Sequence, residues 1–298
     1  MSSRVHRSAA RSGGTRLFFG WRVVGASFVV ALFGWGVGFY GPPVFLHVLT
    51  ESRGWPITLV SAAVTSHFLS GAIIVANLAA LHRRFGVAAV TRAGALATAS
   101  GALGWALAEA PWQLFAATLV SGAGWAATSS AAINAMVSPW FVRRRPAALS
   151  MAYNGASLGG VVFSPAWVLL IALLGFPGAA LAIGAAMVVG LWVLAGRYLA
   201  HLPAERGLRP DGDPAGPPSE AAAEAASLPR RRLLRDRRFA TLALATSLGL
   251  FAQVGLIAHL FSLLVPALGE AGAGAASALT TGAAVAGRTL FGWLLPPG

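Results

Sequence analysis

The chain has 298 residues, 56% of them hydrophobic and only 10% charged, with a mean hydropathy of +0.70. A soluble domain carries about a quarter charged residues, so an ordinary water-soluble fold is excluded, and the absence of cysteine excludes disulfide frameworks, cysteine zinc sites and thiol nucleophiles. The net charge of +13 would fit nucleic acid, but the basic residues, all arginine, sit in short runs between long apolar segments, a membrane pattern that excludes that partner.

A bilayer core of ~30 Å takes about 20 apolar residues of helix. A basic tail over residues 1–22 carries Arg4, Arg7, Arg11 and Arg16. Four apolar runs follow, and spans are expected at 23–46, 57–81, 87–108 and 112–137. The first run is too long for a secretory signal and lacks a small-residue cleavage site, so it reads as an uncleaved span. Two more spans are expected at 147–174 and 179–196. From 203 to 229 the chain is rich in Pro, Gly, Ala and Glu, which reads as a mobile linker; it turns basic at 230–238, where it can lie against anionic lipid. The last spans are expected at 239–268 and 274–295, divided by a weak turn at Gly269-Glu270.

The connections alternate in charge. One set carries the tail arginines, Arg83 and Arg84, Arg143, Arg144 and Arg145, and the stretch 197–238. The other set holds Glu51 with Arg53, Glu109, the neutral 175–178 and Glu270. Short cytoplasmic loops retain arginine, so the N-terminus is expected inside, in a bacterial plasma (inner) membrane. The expected fold class is all-α, a polytopic membrane helix bundle. Its expected parts are a cytoplasmic tail over 1–22, a six-helix half over 23–200, a largely disordered linker over 201–238 and a partial second half over 239–298.

Glycine gathers inside the spans, at Gly34, Gly36 and Gly38, at Gly122 and Gly124, and at Gly155, Gly159 and Gly160. Small residues four apart let helices approach closely in lipid, whether for packing alone or for sliding around a central path. After the fourth span comes Trp140-Phe141-Val142-Arg143-Arg144-Arg145-Pro146-Ala147, continuing to Asn154-Gly155-Ala156-Ser157-Leu158-Gly159-Gly160. This segment resembles the aromatic-Phe-x-basic-Arg-Arg pattern of the major facilitator superfamily, in the branch of monocarboxylate transporters and oxalate:formate antiporters. Gly20-Trp21-Arg22 and Gly54-Trp55-Pro56 are similar to that branch as well.

The resemblance implies the major facilitator fold, here as a complete six-helix half plus about two helices of the other. It covers the first eight of the family's twelve helices, which leaves a truncated, transport-inactive remnant or partner-binding membrane protein as the second reading. The superfamily's loop signature corresponds to Leu81, Arg83, Arg84 and Gly86, with Arg83 where the family has aspartate. These residues and Arg143 to Arg145 are the implied gating motifs.

No acid falls within an expected span, so a carboxylate proton relay is absent from them. Arg288 matches the family's eighth-span arginine, and Ala284 stands at its aspartate position. A charge within a span either faces a substrate path or snorkels to the interface, and a guanidinium matches a carboxylate through two parallel hydrogen bonds. Tyr40 stands near the family's first-span lysine, and Asn154 and Gln253 lie in helices the family uses near its cavity. Tyr153 and His259 complete the candidate substrate set.

Histidines in the spans occur singly, so neither a metal nor a cofactor is expected. The expected partners are the bilayer and a small organic anion, moved by alternating access without ATP, since no phosphate-binding loop motif occurs. A serine hydrolase using Ser66 or Ser70 with His259 lacks any orienting third group. Oligomeric state is not legible here.

Overall fold

The computed structural model describes residues 18–212 and 236–294, with the side chains of 284, 285 and 287–294 outside that description. Among the described residues every regular element is helical. Helix α1 (Phe19–Gly38) breaks at Phe39-Tyr40 and resumes as α2 (Gly41–Arg53), with Pro42 in its first turn. Gly54 closes α2 at φ 64°, a left-handed position glycine adopts without penalty. Helix α3 (Ile57–Phe85) follows Pro56, and Gly86 at φ 79° turns the chain directly into α4 (Val87–Leu107).

Helix α5 (Pro111–Ala126) opens on a proline, and the Gln113 side chain accepts the free Glu109 and Ala110 N–H groups at 2.7 and 3.1 Å. It tightens at Ala127 to Ser129, whose N–H groups bond three residues back, and restarts as α6 (Ser130–Val137). After a tight turn at Ser138–Trp140 comes α7 (Arg145–Leu194), broken at Gly175 with φ 71°. The last element is α8 (Arg237–Leu294), broken in the same way at Gly269 with φ 69°.

Both breaks are hairpins. Phe33 meets Phe163 at 5.3 Å between ring centroids and also faces Gly190, positions nearly symmetric about Gly175, so the two arms of α7 run antiparallel. Among the described residues four continuous runs are long and apolar enough to cross a membrane: Phe19–Arg53, Ile57–Phe85, Arg145–Leu199 and Arg237–Ala283. The last two contain the hairpins. Helix α4 packs between α5 and α7, and α3 lies along α5.

Large apolar side chains point outward, among them Phe251 at 81%, Leu279 at 74% and Trp112 at 71% exposure. Water would penalise such a surface, whereas hydrocarbon does not. Inside, small residues replace bulk. A side chain at Gly122 would overlap the His67 carbonyl, one at Gly155 the Phe28 carbonyl, and one at Gly124 the Thr98 backbone. Gly34 lies against Thr128, Gly38 against Trp125, and Gly159 against the Leu32 carbonyl.

Three expectations change. The first and fourth spans are not single helices but are broken at 39–40 and 127–129. Helix after the first break also continues to Arg53, as α2, so Glu51 lies within helix. The beginning of the expected linker is not free chain: residues 201–212 form short turns that fold back on the bundle. Arg206 stacks over Phe19 at 4.0 Å, and Gly212 lies against Phe18. Residues 213–235 lie outside the described residues.

Candidate functional site

A cavity of about 540 Å³ lies where α1, α2, α5, α6 and α7 meet both arms of α8. The break between α1 and α2 puts Trp35, Phe39 and Tyr40 in its wall, and α5 adds Trp125. Hydroxyl groups come from Ser130, Ser157 and Ser164 on one side and from Ser277, Thr280 and Thr281 on the other. Gln253 and Phe261 also belong to the α8 wall, with Leu250, Ile257 and Leu260. None of the described lining residues carries a charge. Such a site is shaped to hold an apolar or aromatic body and to orient its polar groups by hydrogen bonds.

Tyr40 and Gln253 are therefore at the cavity, as the sequence leads one to expect. Asn154 is not: it is exposed on α7 and does not line the cavity. Tyr153 sits behind the wall, donating to the Ser130 carbonyl at 3.0 Å while Asn134 donates to its hydroxyl at 2.6 Å. His259 is half-buried on α8 and does not line the cavity. Ser66 and Ser70 donate to the carbonyls of Ala62 and Leu119 rather than to a histidine. Arg288 lies on the helical backbone of α8, its side chain outside the description. Sequence reading passed over Ser277, Thr280 and Thr281, although their i, i+3, i+4 spacing is a legible polar stripe.

Beyond the cavity, on the side away from the arginine loops, α2 closes on α8. His47 lies 3.8 Å from Glu270 and edge-on to Phe261 at 5.3 Å. With Glu270 62% exposed, the ion pair contributes little beyond marking the contact.

On the arginine side, Arg83 and Arg84 end α3 in exposed positions, Arg84 over the Phe85 ring at 5.2 Å. Leu81 is half-buried, and Gly86 supplies the turn. The segment from Val142 to Arg145 is held by a residue that sequence reading assigned to the linker. The Asp211 carboxylate accepts the Val142, Arg143 and Arg144 N–H groups at 3.0, 2.9 and 3.2 Å. Arg145 folds back to donate to the Phe141 carbonyl at 3.0 Å.

Burial by itself pushes the Asp211 carboxyl up. The three amide donors and the charge of Arg143 outweigh it and hold the group below the ordinary carboxylate range. The contact is therefore complete above the unfolded value of about 4 and is lost as the pH falls through the lowered one. Asp211→Asn is expected to raise hydrogen exchange at the Val142, Arg143 and Arg144 amides about tenfold, equivalent to ~1.4 kcal/mol and within the range of a lost helix cap. The wild type should show the same rise, after correction for intrinsic exchange, only in acid. Equal protection in the variant would refute the clamp.

The sequence profile of the Major Facilitator Superfamily, a family of polytopic membrane transporters, matches residues 20–297. The chain belongs to the Major Facilitator Superfamily. Among curated proteins none matches it significantly. The superfamily consists of secondary transporters, not enzymes, so this is an integral membrane protein with a transported substrate. In that setting the aromatic and hydroxyl-lined cavity is the candidate substrate chamber.

Proposed function

We propose that this transporter moves a small organic anion, a monocarboxylate or dicarboxylate, by alternating access, and that it belongs with the monocarboxylate and oxalate:formate carriers. The observation that carries the reading is the register of Arg288. It lies seven residues after the cavity-lining Thr281, about two helical turns and ~10 Å further along the same helix face. A cation at that position would supply the counter-charge that the described lining lacks, while Trp35, Tyr40 and Trp125 accept the apolar body. The alternating arginine loops support an orientation with the N-terminus cytoplasmic, in a bacterial plasma membrane.

The test is uptake into proteoliposomes of radiolabelled lactate, oxalate and benzoate, each against its neutral amide. Saturable uptake of at least one acid, with its amide excluded at least tenfold, is the expected result. Equal uptake of acid and amide would overturn the anion reading and leave the transporter assignment intact.

A further inference from the structure

The break in the first span leaves backbone carbonyls without helical partners, and other helices supply them. Gly38 would normally receive the N–H of residue 42, but that residue is Pro42 and has none. Gly36 would receive the N–H of Tyr40, which turns instead to the Trp35 carbonyl at 2.8 Å. Two buried side chains take the freed oxygens. His67 of α3 presents Nε2 to the Gly38 carbonyl at 2.9 Å, and Trp167 of α7 donates Nε1–H to the Gly36 carbonyl at 3.1 Å.

Both side chains are almost fully buried, at 1% and 0% exposure, and both are anchored from behind. A carbonyl only accepts, so Nε2 carries the proton and Nδ1 is left to accept the Ser121 hydroxyl at 2.8 Å. Trp105 donates to the same hydroxyl oxygen at 3.0 Å. Trp167 is wedged edge-on against Phe45 of α2, with ring centroids 4.6 Å apart. Gly36 and Gly38 are buried away from the cavity surface, so a freed carbonyl there has to find a donor within the protein, and these two side chains hold the shape of the break.

Phe39 and Tyr40, the two residues of the break, face the cavity, and Pro43 and Val44 just beyond it line the cavity too. We propose that His67 and Trp167 are positioning residues for transport, holding the break in the first span so that Phe39 and Tyr40 form the cavity wall. The proposal rests on the transporter assignment and not on the anion reading.

The absence of cysteine makes the full chain a ready background for one reporter thiol. Val44→Cys places it on the cavity wall just past the break, and its rate of modification by a methanethiosulfonate reagent reports the position of α2. His67→Leu and Trp167→Phe are each expected to change that rate at least fivefold. His67→Gln, whose amide can still donate to Gly38 and accept from Ser121, should stay within twofold of the parent. With any carboxylate that the wild type transports, both disruptive variants should raise KM about fivefold while Vmax falls less.

A parental labelling rate in Trp167→Phe, which removes the N–H and also narrows the indole to a phenyl ring, removes Trp167 from the assignment. A parental rate in His67→Leu, or a His67→Gln as altered as His67→Leu, removes His67. Should His67→Leu fail to give a monodisperse protein, His67→Gln decides for that residue. The labelling result stands whether or not any carboxylate is transported, so failure here is distinguishable from failure of the anion reading.

Discussion

Arg288→Ala is expected to lower carboxylate uptake at least tenfold at unchanged abundance in the membrane, and Arg288→Lys to restore only part of it. Seven residues turn a helix through about 700°, within ~20° of two full turns, so Arg288 shares the stripe of Ser277 and Thr281. In a chamber whose described lining is uncharged, a carboxylate has to be met by a cation that arrives with its own donors. Guanidinium offers two parallel N–H groups where ammonium offers a point charge. A hydrogen bond to a charged group contributes ~1.5–3 kcal/mol, which sets the tenfold floor. The lysine variant separates substrate binding from mere snorkelling to the interface, because either long cation can reach the headgroups. Wild-type uptake by both variants would sink the assignment of Arg288.

Gly122→Ala should be the most damaging of the glycine-to-alanine changes among the described residues. The new Cβ would fall on the His67 carbonyl, a backbone atom that no rotamer change can move. Overpacking of this kind costs about 3 kcal/mol or forces two helices apart. Gly155→Ala, aimed at the Phe28 carbonyl, should behave alike. Gly249→Ala meets nothing and should be neutral or slightly stabilising, since alanine is the better helix former by ~1 kcal/mol. Thermal unfolding followed by size-exclusion chromatography in detergent checks all three, and a Gly122→Ala protein as stable as Gly249→Ala would refute the contact.

The helical class and the position of most turns were legible because charge and apolar length carry that information directly. Pro42-Pro43 announces the break in the first span, although a hydropathy window runs straight across it. The break at Ala127–Ser129 had no such marker, since Ala-Thr-Ser is compatible with continuous helix. Asp211 lies in a stretch whose composition denotes a linker, and only tertiary placement brings its carboxylate to the amides of a loop far away in sequence. Asn154 makes a related point: membership of a helix that lines the cavity does not by itself bring a side chain to it, and Asn154, three residues before the cavity-lining Ser157, stays outside the lining.

At the level of His67 three helices are joined through one residue. Its carbonyl seats Gly122 of α5, its ring holds the end of α1, and its own backbone is α3. Helices fastened at a shared point cannot slide past one another without breaking it. Any motion that opens the chamber therefore carries α1, α3 and α5 together at this level, whereas the contacts of α8 with α2 and α7 lie outside that joint.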